Sequence, residues 1–314
     1  MVERVAYDEF GMFHENAEEF GLPFDRPPKV RRVTADVESD RVLSALVWGS
    51  EEPQLVLLHG GAQNAHTWDT VAMALDRPLI ALDLPGHGHS DGPGARPEGQ
   101  LDAHGNAVDV ATAVGRLAPS PLAVVGMSLG GLTAIALTIV APELVHKLVL
   151  VDILPGLKGA RSRHIVDFLN GPQEFASFDE MLKRTAAFNP TRSLSSLRRG
   201  ILHNAEQQED GTWVWRWARH RPHVPRVGAV PHVSDTLYGE LWDALSSIEV
   251  PLLLVRGMRE DSVLGDDDEA ELRRRVPSAR VVHVDEAGHS VQGDAPVELA
   301  NLIEDFVFPV RARS

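Results

Sequence analysis

The hydrophobic pattern changes period several times along the chain, and each change marks an element. Val30–Ala35 and Val42–Trp48 flank a polar turn at Ser39 and Asp40, which predicts two strands. Four short, almost continuous apolar runs follow: Leu55–Leu58, Leu79–Leu82, Leu122–Val125 and Leu148–Val151. Two more come late, Leu252–Val255 and Val281–Val284. Runs that are apolar at nearly every position suit strands covered on both faces of a parallel sheet. Helical stretches are expected between them, at Thr67–Leu75, His104–Leu117, Leu129–Val140, Asp267–Arg275 and Pro296–Phe306. Strands alternating with helices imply a doubly wound α/β sheet.

Two segments break the alternation. Residues 1–29 are polar and punctuated by Pro23, Pro27 and Pro28, and read as a surface extension. Residues 155–235 contain no buried-strand run, only helical pieces rich in Phe168, Phe175, Phe178, Met181 and Phe188, then Trp213, Trp215 and Trp217. About eighty residues is too long for a plain connection. A helical cap inserted before the penultimate strand is expected, leaving residues 30–154 and 236–314 as the sheet core. Such a cap would lie over the carboxyl edge of the sheet, where open α/β sheets bind ligands. One stretch imitates a membrane span, since residues 117–140 carry no charge. Pro119, Pro121, Gly126, Gly130 and Gly131 divide it, and a strand followed by a short helix is the better reading.

Composition narrows the chemistry. The 314 residues include no cysteine, which excludes disulfide scaffolds, thiolate metal sites and cysteine nucleophiles. The formal charge of −15 argues against a nucleic-acid partner. That charge is unevenly spread. Residues 156–235 hold 12 Lys and Arg against 8 Asp and Glu, an excess of +4, while the remainder holds 18 against 37, or −19. Met1–Phe10 is acidic, without the basic start and apolar run of a signal peptide, so a cytoplasmic protein is expected.

Gly126-Met127-Ser128-Leu129-Gly130 joins an expected strand to an expected helix. A nucleophilic serine needs such a sharp turn to expose its hydroxyl, with small residues two before and two after it. His59-Gly60-Gly61 follows another strand, where glycine lets backbone approach a ligand. A tetrahedral oxyanion needs two preorganised N–H donors, and the amides of Leu129 and of Gly61 (or Ala62) are the candidates. His289 follows the last strand, at the edge from which a base can reach the serine hydroxyl.

These motifs, with Asp83-Leu84-Pro85-Gly86-His87-Gly88-His89-Ser90 and Gly288-His289, make the chain resemble the α/β-hydrolase superfamily of esterases and lipases. Residues 63–69, 213–216 and 289–292 are further similar to small bacterial carboxylesterases of a mycobacterial type. The resemblance implies hydrolysis of small to medium acyl esters through an acyl-serine, with a small-molecule ester as partner and no cofactor. It places the acid of the triad in one of two positions. One is the loop after the strand that follows the cap, where Glu260 and Asp261 lie. The other is the end of the strand before the cap, occupied by Asp152. A carboxylate closing a buried apolar strand needs a partner, and an imidazole would serve, so Asp152 is preferred.

His87-Gly88-His89-Ser90-Asp91 imitates a zinc motif, but it falls inside the superfamily's own turn, so no metal is expected and Asp83 is read as structural. No dinucleotide fingerprint is present. Trp213, Trp215 and Trp217 alternate in strand-like register, either packing the cap or lining an acyl pocket. On the same triad, a C–C bond hydrolase, a thioesterase or an acyltransferase are the alternatives. A non-catalytic ligand-binding member of the fold is the further one. The basic excess of residues 156–235 adds the expectation that the cap attracts anionic acyl groups.

Overall fold

The computed structural model describes residues 4–94, 103–118, 121–156, 159–220 and 235–309. Its elements in chain order begin with α1 (Phe13–Phe20), β1 (Val30–Glu38), β2 (Arg41–Trp48), β3 (Leu55–Leu58), α2 (Asp69–Leu75) and β4 (Leu79–Leu82). Then come α3 (Ala103–Leu117), β5 (Leu122–Met127), α4 (Leu129–Val140) and β6 (Val145–Val151). The inserted stretch holds α5 (Gly159–Leu169), β7 (Glu174–Phe175), α6 (Phe178–Phe188), α7 (Leu194–Asn204), β8 (Ala205–Gln207) and β9 (Trp213–Trp215). The chain closes with α8 (Asp235–Ser246), β10 (Leu252–Gly257), α9 (Asp266–Arg275), β11 (Arg280–Val284), α10 (Val291–Asp294) and α11 (Pro296–Val307).

Eight strands form one sheet in the order β1-β2-β4-β3-β5-β6-β10-β11. β2 pairs antiparallel with β1 and β4, and every pair from β4 to β11 is parallel. The continuous apolar runs are explained by two cores, one on each face. Val56, Leu58, Val124, Leu148 and Leu150 point to one face, against α3, α4 and α8. Their neighbours Leu55, Leu57, Val125, Val149 and Val151 point to the other, against α2 and α11. Because successive side chains of a strand face opposite ways, only an uninterrupted apolar run satisfies both cores. Among the described residues, no helix is long and apolar enough to cross a membrane.

The inserted stretch departs from the expected all-helical cap. Among its described residues it holds three α-helices and a three-stranded antiparallel sheet, β7-β9-β8. Trp213 and Trp215, two apart on β9, enter one cluster with Phe175, Met181, Ile201 and Leu202, and Trp217 joins it from the following turn. The period of two in these tryptophans therefore marked a strand with one buried face.

The N-terminal stretch is not a loose surface extension either. Phe13, on α1, is 3% exposed and sits edge-on to Trp48, with ring centroids 5.2 Å apart. The helix stops at Gly21, whose φ of 65° is left-handed. Its polar face explains why the sequence read as surface. Glu15 and Glu19 pair with Arg199 of α7, so the charges meet the insert rather than water. Phe13→Ala is expected to lower the unfolding free energy by about 3 kcal/mol or more, through lost burial and the cavity left behind. Urea unfolding measures this. A loss near zero would show that α1 does not belong to the folded core.

Candidate active site

β5 ends at Met127 and α4 starts at Leu129, so Ser128 makes the whole turn. Its φ of 52° is one that L-residues rarely adopt. The flanking glycines are required by close approach. A Cβ on Gly126 would lie 2.4 Å from the Gly130 carbonyl oxygen, and one on Gly130 would lie 2.2 Å from that of Leu58. Only backbone fits where the turn presses against β3. The N-terminus of α4 leaves the Leu129 N–H outside the helix's own hydrogen-bond ladder.

The loop after β3 supplies the second candidate donor by elimination. The Gly60 N–H donates to Gln63 Oε1 at 3.0 Å, and the Ala62 N–H donates to His87 Nε2 at 3.0 Å. The Gly61 N–H has no protein partner among the described residues, which favours Gly61 over Ala62. His59 is fully buried and is a strut. Its Nδ1–H donates to the Gly60 carbonyl at 2.7 Å and its Nε2 accepts from Leu84 N–H at 2.9 Å. Burial holds its pKa below the usual range, in keeping with a neutral ring.

His87, His89 and Asp91 do not converge as metal ligands. His87 is used by Ala62, and Asp91 accepts from the Val42 N–H at 2.8 Å. Asp83 organises this turn. It accepts from the Ala65 N–H at 2.7 Å, the His89 N–H at 3.0 Å and Arg32 at 2.8 Å.

Asp152 directly follows β6; it is 0% exposed and has a φ of 48°. Its Oδ1 accepts from the Ser262 hydroxyl at 2.7 Å and the Gly257 N–H at 3.1 Å. Its Oδ2 accepts from the Val263 N–H at 3.1 Å and lies 2.9 Å from His289 Nδ1. Four partners offset the burial of this carboxylate. Since a carboxylate can only accept, the His289 proton sits on Nδ1 and the Nε2 lone pair is left as a base. Glu260 and Asp261 are exposed on the loop after β10. Ser262 and Val263 had no signal in the sequence, because their role depends on how that loop folds back over β6.

Ser128, His289, Gly61 and Leu129 line one cavity of about 760 Å³, as does Asp261. Part of its wall comes from the insert, including Ile165, Phe168, Phe188 and Trp215, and part from the core and α1, including Leu132, Gln292 and Phe20. Trp215 thus serves the insert's own core and the cavity together.

A buried ionic group adjoins the cavity. One potential ligand atom each from His66, Asp69 and His203 lies within 4.8 Å of the others. Its His66 ring is already engaged by protein carboxylates, although Asp69 Oδ1 is buried without a partner. His66 Nδ1 bonds Asp69 Oδ2 at 2.9 Å, and its Nε2 bonds Glu9 Oε1 at 3.1 Å. Burial alone would lower the His66 pKa, but Asp69 and Glu9 outweigh it and hold the ring up to about 9. His203 stacks on it with centroids 3.7 Å apart and is kept neutral by burial and by the His66 charge. A protonated imidazole is a poor metal ligand. The folded pKa lies above the unfolded value of 6.5, so this pairing stabilises fully below pH 6.5 and fades as pH rises through about 9. His66→Gln is therefore expected to flatten the alkaline fall in stability over that window, as read by urea midpoints against pH. An unchanged alkaline limb would contradict it.

Residues 53–296 match the family model described as the alpha/beta hydrolase fold. The chain is 42% identical over 309 residues to the Mycobacterium tuberculosis protein named "Esterase Rv0045c", covering 96% of each. A crystal structure of that esterase superposes with a TM-score of 0.80 at 41% identity, over 96% of this chain and 98% of that one. The 3-hydroxybutyrate-oligomer hydrolase of Cupriavidus necator is 30% identical over 275 residues, 81% of this chain and 88% of that protein. With the serine turn, the sheet order and these likenesses together, the chain belongs to the α/β-hydrolase fold family.

Proposed function

We propose that this protein is a carboxylesterase that works through Ser128. The observation that carries the proposal is the strained serine at the β5–α4 turn, sharing a cavity with His289, whose Nδ1 lies against Asp152. The likeness to a named esterase over nearly the whole chain supports the reaction class.

In this reading Ser128 Oγ attacks the ester carbonyl as His289 Nε2 takes its proton. Asp152 fixes the tautomer and stabilises the imidazolium. The Leu129 and Gly61 amides hold the oxyanion, and negative charge built up there is stabilised by preorganised dipoles. His289 then protonates the leaving alcohol and activates the water that releases the acid. No step needs a cofactor. Residues 155–235 act as the cap that closes the cavity over the acyl group.

A cavity of about 760 Å³ with Phe168, Phe188 and Trp215 in its walls fits small to medium acyl chains. A chain-length series of p-nitrophenyl esters tests the reading. Turnover that rises and then falls with acyl length supports it. Absence of turnover on every ester, with hydrolysis of a dienoate ketone instead, would favour the C–C hydrolase chemistry.

A further inference from the structure

The cations around the cavity differ in one respect. Arg199 is matched by Glu15 and Glu19, and His66 by Asp69 and Glu9. Arg192, between α6 and α7, also lines the cavity, but it has no ion-pair partner among the described residues. Its Nη2 donates to Ser196 Oγ at 2.6 Å. Its Nη1 lies against Gly293 of α10, where a Cβ would come within 2.8 Å. Its Nε is buried without any partner. Asp294 faces it from α10, but that carboxylate is already bonded to the Gly288 N–H at 3.0 Å. Glu19 of α1 is the other acid that acts on it, and it is paired with Arg199.

A desolvated guanidinium with acids nearby but no direct ion pair is costly to keep. Here it sits at the seam between insert and core, beside the loop that carries His289, with an unused Nε on the edge of its planar fork. A carboxylate is the ligand that matches such a fork and supplies the direct ion pair it lacks. We propose that Arg192 and Ser196 form a carboxylate-binding subsite, so that the esters preferred by this enzyme carry a free carboxylate on the part that reaches the insert. The proposal rests on the esterase reading and names the substrate class within it.

The test compares monoanionic monoesters of dicarboxylic acids with neutral esters of the same length. Wild type should favour the anionic series, and added salt should shrink that preference. Arg192→Gln should cut the anionic-to-neutral ratio of kcat/KM by about tenfold or more, mainly through KM. Arg192→Lys, which keeps the charge but loses the fork, should recover part of it. Equal losses on both series, or no anionic preference in wild type, would overturn the subsite while leaving the esterase reading intact. If neither series is turned over, the esterase reading fails and calorimetry decides the subsite separately. Binding of the monoanionic esters to folded Ser128→Ala protein that is lost with Arg192→Gln upholds it. No binding, or binding indifferent to Arg192, refutes it.

Discussion

Ser128→Ala is expected to lower kcat on simple esters by about 10⁵-fold, leaving only the slow background of an oxyanion site without a nucleophile. The fold should be unaffected. Alanine has the same backbone preferences as serine at this position, so the strain at φ 52° is neither relieved nor increased. The side-chain hydroxyl is not the N-cap of α4, so its removal costs no capping bond. The loss should therefore fall on kcat, with the thermal midpoint near that of wild type. Retained turnover above a mock-purified control would refute the assignment of the nucleophile.

Asp152→Asn is expected to have the second largest effect, about 10⁴-fold in kcat. Every group around this side chain is a donor: the Gly257 and Val263 N–H groups, the Ser262 hydroxyl and His289 Nδ1–H. An asparagine must turn its NH₂ toward one of them. Turned to His289, it pushes the imidazole proton to Nε2 and destroys the base, and it also meets the Val263 N–H. Turned the other way, it meets the Gly257 N–H. In both orientations a buried donor is left unpaired, so stability should fall by about 1–3 kcal/mol along with activity. Glu260→Gln and Asp261→Asn should cost far less, because neither carboxylate is the partner of His289 Nδ1. A full loss in either of those variants with Asp152→Asn active would move the acid to the later loop.

The sheet was legible in the sequence because its strands are buried on both faces and leave long apolar runs such as Leu55–Leu58. The nucleophile turn was legible because close packing permits only glycine at 126 and 130. Other features depend on long-range partners and left no local pattern. The α1 helix reads as polar because Glu15 and Glu19 find Arg199 of the insert, far along the chain. The insert's small sheet is built from strands of two or three residues, and outside the alternating tryptophans of β9 they are too short to show a period. The choice between Asp152 and Glu260 or Asp261 could not be read from spacing, since both loops end at the same sheet edge. It turns on which carboxylate meets the imidazole, and that is a matter of side-chain geometry. The local excess of basic residues in the insert was visible, but Arg198, Arg199 and Arg219 are paired, and Arg192 emerges only from the ion pair it lacks among the described residues.

The central claim is that Ser128 is the activated nucleophile. Treatment with a fluorophosphonate, followed by peptide mass mapping, tests it most directly. The account predicts one covalent adduct, on the peptide containing Ser128, absent from Ser128→Ala and strongly slowed in Asp152→Asn. An adduct on another residue, or no adduct on an enzyme that still hydrolyses esters, would contradict it.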